Sequence, residues 1–294
     1  MTTPTISRKG YGHLVIIGGG EDREDDMRIL SRFVELSGGP QAHVVVITGA
    51  SEIPHEVWEV YDRAFGALGV KRREAVHLST RAQANDPALA QLVGSASGIF
   101  MSGGDQRRLL AIIGGTLLDE AMHRALKQHG ACIGGTSAGA SAMSGHMLAE
   151  GYVELLPALG SVQLAAGLGF LQRVVIDQHF SQRRRLVRLL TVVAQNPYLQ
   201  GIGIDEDTAL VVECGGGIEV IGRGAVTIVD GRHMISNVTE LADRACPQLV
   251  DVRLHLLPAG SRFKVNPDGG AEADEAPAPL LEVLRSLVRR NSLD

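Results

Sequence analysis

The five residues Gly135-Thr136-Ser137-Ala138-Gly139 set a single hydroxyl beside glycine and alanine where the apolar run Ala131-Cys132-Ile133 gives out. G-x-S-x-G is the pattern of a nucleophile elbow, a strained strand-to-helix turn whose small residues let the backbone bend around an exposed serine. The chemistry would be attack by Ser137 on a carbonyl carbon, with the Ala138 N–H at the start of the next helix donating to the oxyanion. A glycine-rich turn with an ordinary serine satisfies the same five residues, so the reading depends on a base and on its setting. Among ten histidines, His179 ends the segment Val174-Val175-Ile176-Asp177-Gln178-His179. That places it at the carboxyl end of a buried strand, the edge where open α/β sheets keep their ligand crevice. A catalytic imidazole needs an orienting acceptor. Asp205-Glu206-Asp207 follows another apolar strand, and strand alternation sets Glu206 on the side opposite Asp205 and Asp207. One side alone can reach the imidazole, and the spacing leaves open which.

Other polar groups fall at the same edge. Ser102-Gly103-Gly104-Asp105-Gln106 is a glycine turn after the strand Gly98-Ile99-Phe100-Met101. The Gly104 N–H and the Gln106 amide are therefore candidates to face the substrate of Ser137, while Asp105 reads as a helix N-cap. Gly18-Gly19-Gly20 departs from G-x-G-x-x-G, and Glu21 and Asp22 would repel a pyrophosphate, which argues against nucleotide binding. Arg183-Arg184-Arg185 is a local basic cluster that could hold carboxylates, with Asp177 nearby for a cation. On a helix from Ser181 to Gln195, Arg183 and Arg185 flank the apolar stripe of Leu186, Leu189, Leu190 and Val193, whereas Arg184 and Arg188 point outward. The bland reading of such a run is a solvated helix face. No metal is expected: there is no H-E-x-x-H and no close cysteine pair, and His55-Glu56 lacks a second histidine at helical spacing.

The elements that must position these residues alternate as strand and helix. His13-Leu14-Val15-Ile16-Ile17 reads as a central strand buried on both faces. A helix over Asp25 to Leu36, a strand over Ala42 to Thr48 and a helix over Pro54 to Leu68 follow. Next come a short strand near Ala75 to Leu78, a helix near Pro87 to Val93, the strand Gly98 to Met101, and a helix over Leu117 to His129 leading into the elbow strand. This rhythm predicts an α/β protein with a doubly wound, mostly parallel sheet, and shows too few βα units for an eight-fold barrel. The pattern blurs from Met143 to Gly169. After Asn196-Pro197 the chain turns β-rich, with extended segments over Gly201 to Val212, a hairpin over Ile218 to Val229 and a strand over Leu249 to Leu257. Asn266 to Pro279 is rich in proline, glycine, alanine and acid, the composition of a flexible linker. The expected organisation is one domain over residues 1–265, that linker over 266–279, and a C-terminal helix over 280–294. Leu280, Leu281, Leu284, Leu287 and Val288 would dock that helix on the core or on a partner subunit.

Bulk properties narrow the function classes. The chain has 294 residues, 45% of them hydrophobic, and a formal charge of −5, which offers no general attraction to nucleic acid or to an anionic membrane. Cys132, Cys214 and Cys246 are an odd, widely spaced set, which points away from a disulfide framework and toward the cytoplasm; Cys132, inside the elbow strand, reads as a buried structural thiol. Arg8 and Lys9 precede an apolar run too short for a signal-peptide core, and no other segment is long enough to span a bilayer.

Taken together and in order, five stretches resemble the motifs of cyanophycinases, serine peptidases of the dipeptidase E type. They are Ile16-Ile17-Gly18-Gly19-Gly20-Glu21-Asp22, Gly103-Gly104-Asp105-Gln106, Gly135-Thr136-Ser137-Ala138-Gly139-Ala140, Asp177-Gln178-His179-Phe180 with the arginines after it, and Gly203-Ile204-Asp205-Glu206. The ordered set is far more specific than any one motif. The resemblance implies a flavodoxin-like fold related to the class I glutamine-amidotransferase domain, here followed by a β-rich extension. It implies a nucleophile at Ser137, a base at His179, an orienting acid at Glu206, and substrate contacts from Gln106, Asp177, Gln178, Arg183, Arg185 and Arg188. A homodimer that needs no cofactor is implied as well. The implied substrate is cyanophycin, a polyaspartate chain with an arginine joined through its α-amine to each aspartate side chain, and the implied product is the β-aspartyl-arginine dipeptide. The order serine, histidine, glutamate differs from that of the α/β-hydrolases, and serine at the elbow separates the chain from cysteine amidotransferases of similar fold. The alternatives are an exopeptidase for short aspartyl peptides using the same triad, and a non-catalytic binding protein with Ser137 as a ligand contact. The region after about Gly231 is less family-like.

Overall fold

The computed structural model describes residues 10–151, 154–213, 216–266 and 276–288. Along β1 (His13–Ile17) the buried side chains alternate: Leu14 and Ile16 enter one core, Val15 and Ile17 another. A strand apolar on both faces is stable only between two layers. One layer is α1 (Arg28–Ser37) and α2 (Pro54–Ala67), whose Phe33, Tyr61 and Phe65 pack against Phe100. The other includes α3 (Arg81–Ala84), α4 (Pro87–Gly94), α5 (Gln106–Ile113) and α6 (Leu117–His129).

Between these layers β1, β2 (His43–Ile47), β3 (Arg72–Val76), β4 (Gly98–Met101) and β5 (Cys132–Thr136) run parallel in the order β1-β5-β4-β2-β3. The elbow is followed by α7 (Ala138–Ala142) and by the antiparallel pair β6 (His146–Gly151) and β7 (Val162–Ala166). β8 (Val174–Asp177), α8 (Leu186–Gln195) and β9 (Gln200–Ile204) begin a second sheet. β10 (Thr208–Glu213) and β11 (Gly217–Gly222) extend the first sheet antiparallel on the free side of β1. β12 (Ala225–Asp230) joins β9 in the second sheet, β13 (Ile235–Ser236) pairs with β14 (Leu249–Val250), β15 (Arg253–Pro258) pairs with β12, and β16 (Arg262–Lys264) with β11. The result is an eight-stranded, mostly parallel sheet beside a four-stranded one. Finally α9 (Ala278–Val288) buries Leu280, Val283, Leu284, Leu287 and Val288 in the principal core of this same chain, with Leu281 partly buried against it. Of the expected linker, residues 267–275 lie outside the described residues, as do Cys214 and the helix beyond Val288.

Five expectations about the fold are corrected. The single strand read over Leu249 to Leu257 is two, β14 pairing with β13 and β15 with β12, with Asp251 at a left-handed φ of 59° between them. The hairpin read over Ile218 to Val229 does not form: β11 pairs with β10 and β16, whereas β12 pairs with β9 and β15, so the chain changes sheets at Arg223-Gly224. The helix expected from Asp25 starts at Arg28, because the Asp22 carboxylate accepts the backbone N–H groups of Glu24, Asp25 and Met27 and holds the segment as a loop. The third strand begins at Arg72 rather than near Ala75; as an edge strand it carries Arg72, Arg73 and Glu74, which an apolar pattern does not mark. The helix expected from Ser181 begins at Leu186, since the Asp205 carboxylate captures the N–H and hydroxyl of Ser181 and Arg184 takes a left-handed φ of 51°.

Candidate active site

Ser137 stands between β5 and α7 with φ 52° and ψ −110°, a backbone state that costs on the order of 1–3 kcal/mol and persists only where the surroundings enforce it. The enforcement is visible. The Ser137 N–H donates to Ile17 O at 3.0 Å, and a Cβ at Gly135 would come within 2.6 Å of Gly139 O, so the elbow closes only with glycine there. Ser137 Oγ lies 2.8 Å from His179 Nε2, and His179 Nδ1 lies 2.6 Å from Glu206 Oε1. With Nδ1–H donating to the carboxylate, Nε2 is left to accept the serine proton. The neighbouring acids are engaged elsewhere. Asp205 receives the N–H of Ser181 and of Ala225, while Asp207 receives the N–H of Asp22 and pairs with Arg223.

The end of β1 and the turn after it hold Ser137, His179 and the residue next to Glu206. Ile17 O takes the Ser137 N–H, Gly18 O takes the His179 N–H at 2.8 Å, and Gly19 O takes the Asp207 N–H at 2.9 Å. A Cβ on Gly19, whose φ is +96°, would sit 2.3 Å from the His179 ring. Just beyond it, Glu21 is buried and accepts the hydroxyls of Tyr61 and Thr136, tying α2 to the residue before Ser137. Burial first, then the Arg183 and Arg185 cations, hold the His179 imidazole below its ordinary pKa against the opposing pull of Glu206. The ring is therefore a neutral acceptor at neutral pH.

Ser137 opens onto a cleft of about 490 Å³ lined by Gly104, Gln106, Gln178, Arg183, Arg185 and Arg188, and closed on one side by Leu148 to Gly151 of β6. Residues 14–221 match the model of peptidase family S51. The chain belongs to that family. It is 39% identical to the cyanophycinase of Geminocystis herdmanii over 85% of this chain and 92% of that one, and 34% identical to the cyanophycinase of Trichormus variabilis over 90% and 88%. In fold it is similar to the crystal structure of a peptidase from an acI-B1 Actinobacterium, with TM-score 0.64 and 23% identity over 87% of this chain and 97% of that one.

The predicted residues of this S51 peptidase do meet around the cleft, but with duties the sequence did not assign. Arg188, expected to point outward, is 8% exposed and grips Asp177 through Nε at 2.7 Å and through Nη2. The reason is that α8 is covered on that face too: Val192, one turn on from Arg188, packs with Leu148, Val162 and Val175, so the side expected to meet solvent lies under β6 and β7. Arg185 also reaches Asp177, at 3.1 Å, and donates to the backbone and side-chain oxygens of Gln178. Asp177 is thus saturated by the protein's own arginines. Burial pushes the Arg185 guanidinium down to about 10, and its Nε is a buried donor with no hydrogen-bond partner among the described residues. The Arg183 backbone N–H donates to His179 O, while its exposed side chain makes no hydrogen bond or ion pair to the described residues. Gln106 lines the cleft and donates to Leu148 O at 3.2 Å. Asp105 caps α5 by accepting from the Arg107 and Arg108 N–H groups. Sequence reasoning missed the supporting role of Gly18 to Glu21, although a triple glycine after a central strand marked the place.

Proposed function

We propose that this S51 serine peptidase is a cyanophycinase that releases β-aspartyl-arginine dipeptides from cyanophycin. The observation that carries the reading is the relay from Ser137 through His179 to Glu206, opening onto a cleft whose arginines outnumber the acid they share. Each repeat of the polymer bears a free carboxylate, and the exposed Arg183, with Arg185 beside it in the cleft lining, would receive it. Ser137 attacks a main-chain aspartyl carbonyl while His179 takes its proton, and Glu206 orients and stabilises the resulting imidazolium. The Ala138 and Gly104 N–H groups serve the oxyanion. His179 then returns the proton to the leaving amine, and water frees the acyl-enzyme. The relatives' names and the motif order support the substrate. The enzyme is taken to be a cytoplasmic homodimer with no nucleic-acid or membrane partner, a reading that rests on the family resemblance and on composition; no described helix is long and apolar enough to cross a membrane.

The test is product analysis. Purified enzyme with cyanophycin should release β-aspartyl-arginine, and Ser137→Ala should abolish both turnover and labelling by a fluorophosphonate. Cleavage of short aspartyl peptides but not of the polymer would favour the exopeptidase reading, and no labelling of the wild type would favour a binding protein.

A further inference from the structure

A substrate side group with a carboxylate and a guanidinium needs an anion as well as cations in its site. Asp177 is 1% exposed, and both of its carboxylate oxygens are held by Arg185 and Arg188. Turning it toward a ligand would strip two buried cations of their counter-ion, which is strongly unfavourable. Among the described residues that line the cleft, the remaining acid is Glu150 of β6. Its side chain is 45% exposed and its ion-pair partner, Arg107, is 55% exposed. A pair that wet contributes little to stability. An incoming guanidinium can therefore share the Glu150 carboxylate with Arg107 or displace it, since a carboxylate offers about four acceptor sites.

The position of Glu150 is defined by the same residues that build the cleft. Gln106 Nε2 donates to Leu148 O, and Arg188 Nη1 donates to Gly151 O at 3.1 Å. The register of β6 against β7 shifts between Leu148 and Glu150, the kind of irregularity that re-aims a side chain beside a site. Ala149, half-buried, offers apolar surface next to it, on which the methylene stem of an arginine can lie.

We propose that Glu150 is the specificity residue for the guanidinium of the substrate, with the arginines Arg183 and Arg185 taking the carboxylate of the same side group. This rests on the cyanophycinase reading and replaces Asp177 in the guanidinium role. Opposite charges on one side group are then read at separate places, which fixes its direction in the cleft.

The experiment compares two synthetic oligomers of the polymer's repeat, one carrying arginine and one carrying citrulline, its neutral isostere. Wild type should prefer the arginine oligomer. Glu150→Gln should lower the arginine-to-citrulline ratio of kcat/KM about tenfold, through KM on the arginine oligomer, the size expected for losing one solvent-accessible charge-assisted contact. Asp177→Asn should lower both oligomers alike, because it releases Arg185 and Arg188. An unchanged ratio in Glu150→Gln, equal losses on both oligomers, or a ratio that collapses only in Asp177→Asn would each overturn the proposal. A wild type that cleaves neither oligomer nor the polymer would remove the cyanophycinase reading itself, and this inference with it.

Discussion

The proposed mechanism has His179 take the Ser137 proton, which needs a neutral ring, and its surroundings favour that form: burial and the nearby Arg183 and Arg185 cations outweigh the attraction of Glu206. The acid limb of kcat/KM should therefore have its midpoint below the ordinary imidazole value, with activity rising as pH rises through it. Arg183→Gln removes a cation that disfavours imidazolium, so the midpoint should move to higher pH; a pH–rate profile of both proteins checks the sign, and a downward move would contradict this picture of the site. Arg183 is also the exposed, unpaired cation of the cleft. If it clamps a substrate carboxylate, the contact is worth about 1.5–3 kcal/mol, so Arg183→Ala should lower kcat/KM roughly ten- to a hundredfold. Arg183→Lys should fall between, since it keeps charge but not the two-pronged geometry. Arg184→Ala, an exposed turn residue outside the cleft lining, should change little. Loss at Arg184 equal to that at Arg183 would assign both to a general surface field.

The turn between β1 and α1 does more for the site than its sequence advertises. Its consecutive carbonyls hold the backbones of the segments bearing Ser137, His179 and Glu206, and Gly19 leaves the space that the imidazole fills. Gly19→Ala should push the ring off the serine, and a displacement of about 1 Å is worth on the order of a hundredfold in rate. Steady-state kinetics should show this as a fall in kcat far exceeding any change in thermal midpoint; wild-type kcat would mean that the ring has room to yield. In the sequence Glu21 stands out as an anion unfit for phosphate and as part of a family motif, with no role attached, whereas in the fold it is a buried acceptor for Thr136 and Tyr61. Its partners are remote in the chain, and so no local pattern announces them.

Across the whole molecule two sheets share one principal core, and α9 completes it. Leu284 is fully buried there, and truncating a buried leucine costs about 2–5 kcal/mol. Leu284→Ala should thus lower the urea midpoint clearly, and an unchanged midpoint would make α9 a loose appendage. The β6–β7 pair is unmarked in the blurred stretch from Met143 to Gly169, yet its β6 forms one wall of the cleft. Burial does not alternate along the two strands, with Met147 and Leu148 buried side by side in β6 and β7 exposed on both faces beyond Val162, so the period-two pattern by which a strand is recognised is missing.

Sequence alone determined what local periodicity and strand-end position encode: the alternating α/β order, the serine on its elbow, His179 at a strand end, and an acidic group at another. Those features repeat over a few residues and need no distant partner to be read. Strand spacing left the acid open and the family resemblance implied Glu206; the tertiary structure supplied the physical reason, since Asp205 and Asp207 are drawn off by Ser181, Ala225, Asp22 and Arg223. It also decided that Arg188 turns inward to Asp177 and that β11 and β12 part into different sheets. Each of these outcomes is a competition among ion pairs, hydrogen bonds or strand edges whose winners lie far apart along the chain, so only folding brings the competitors together.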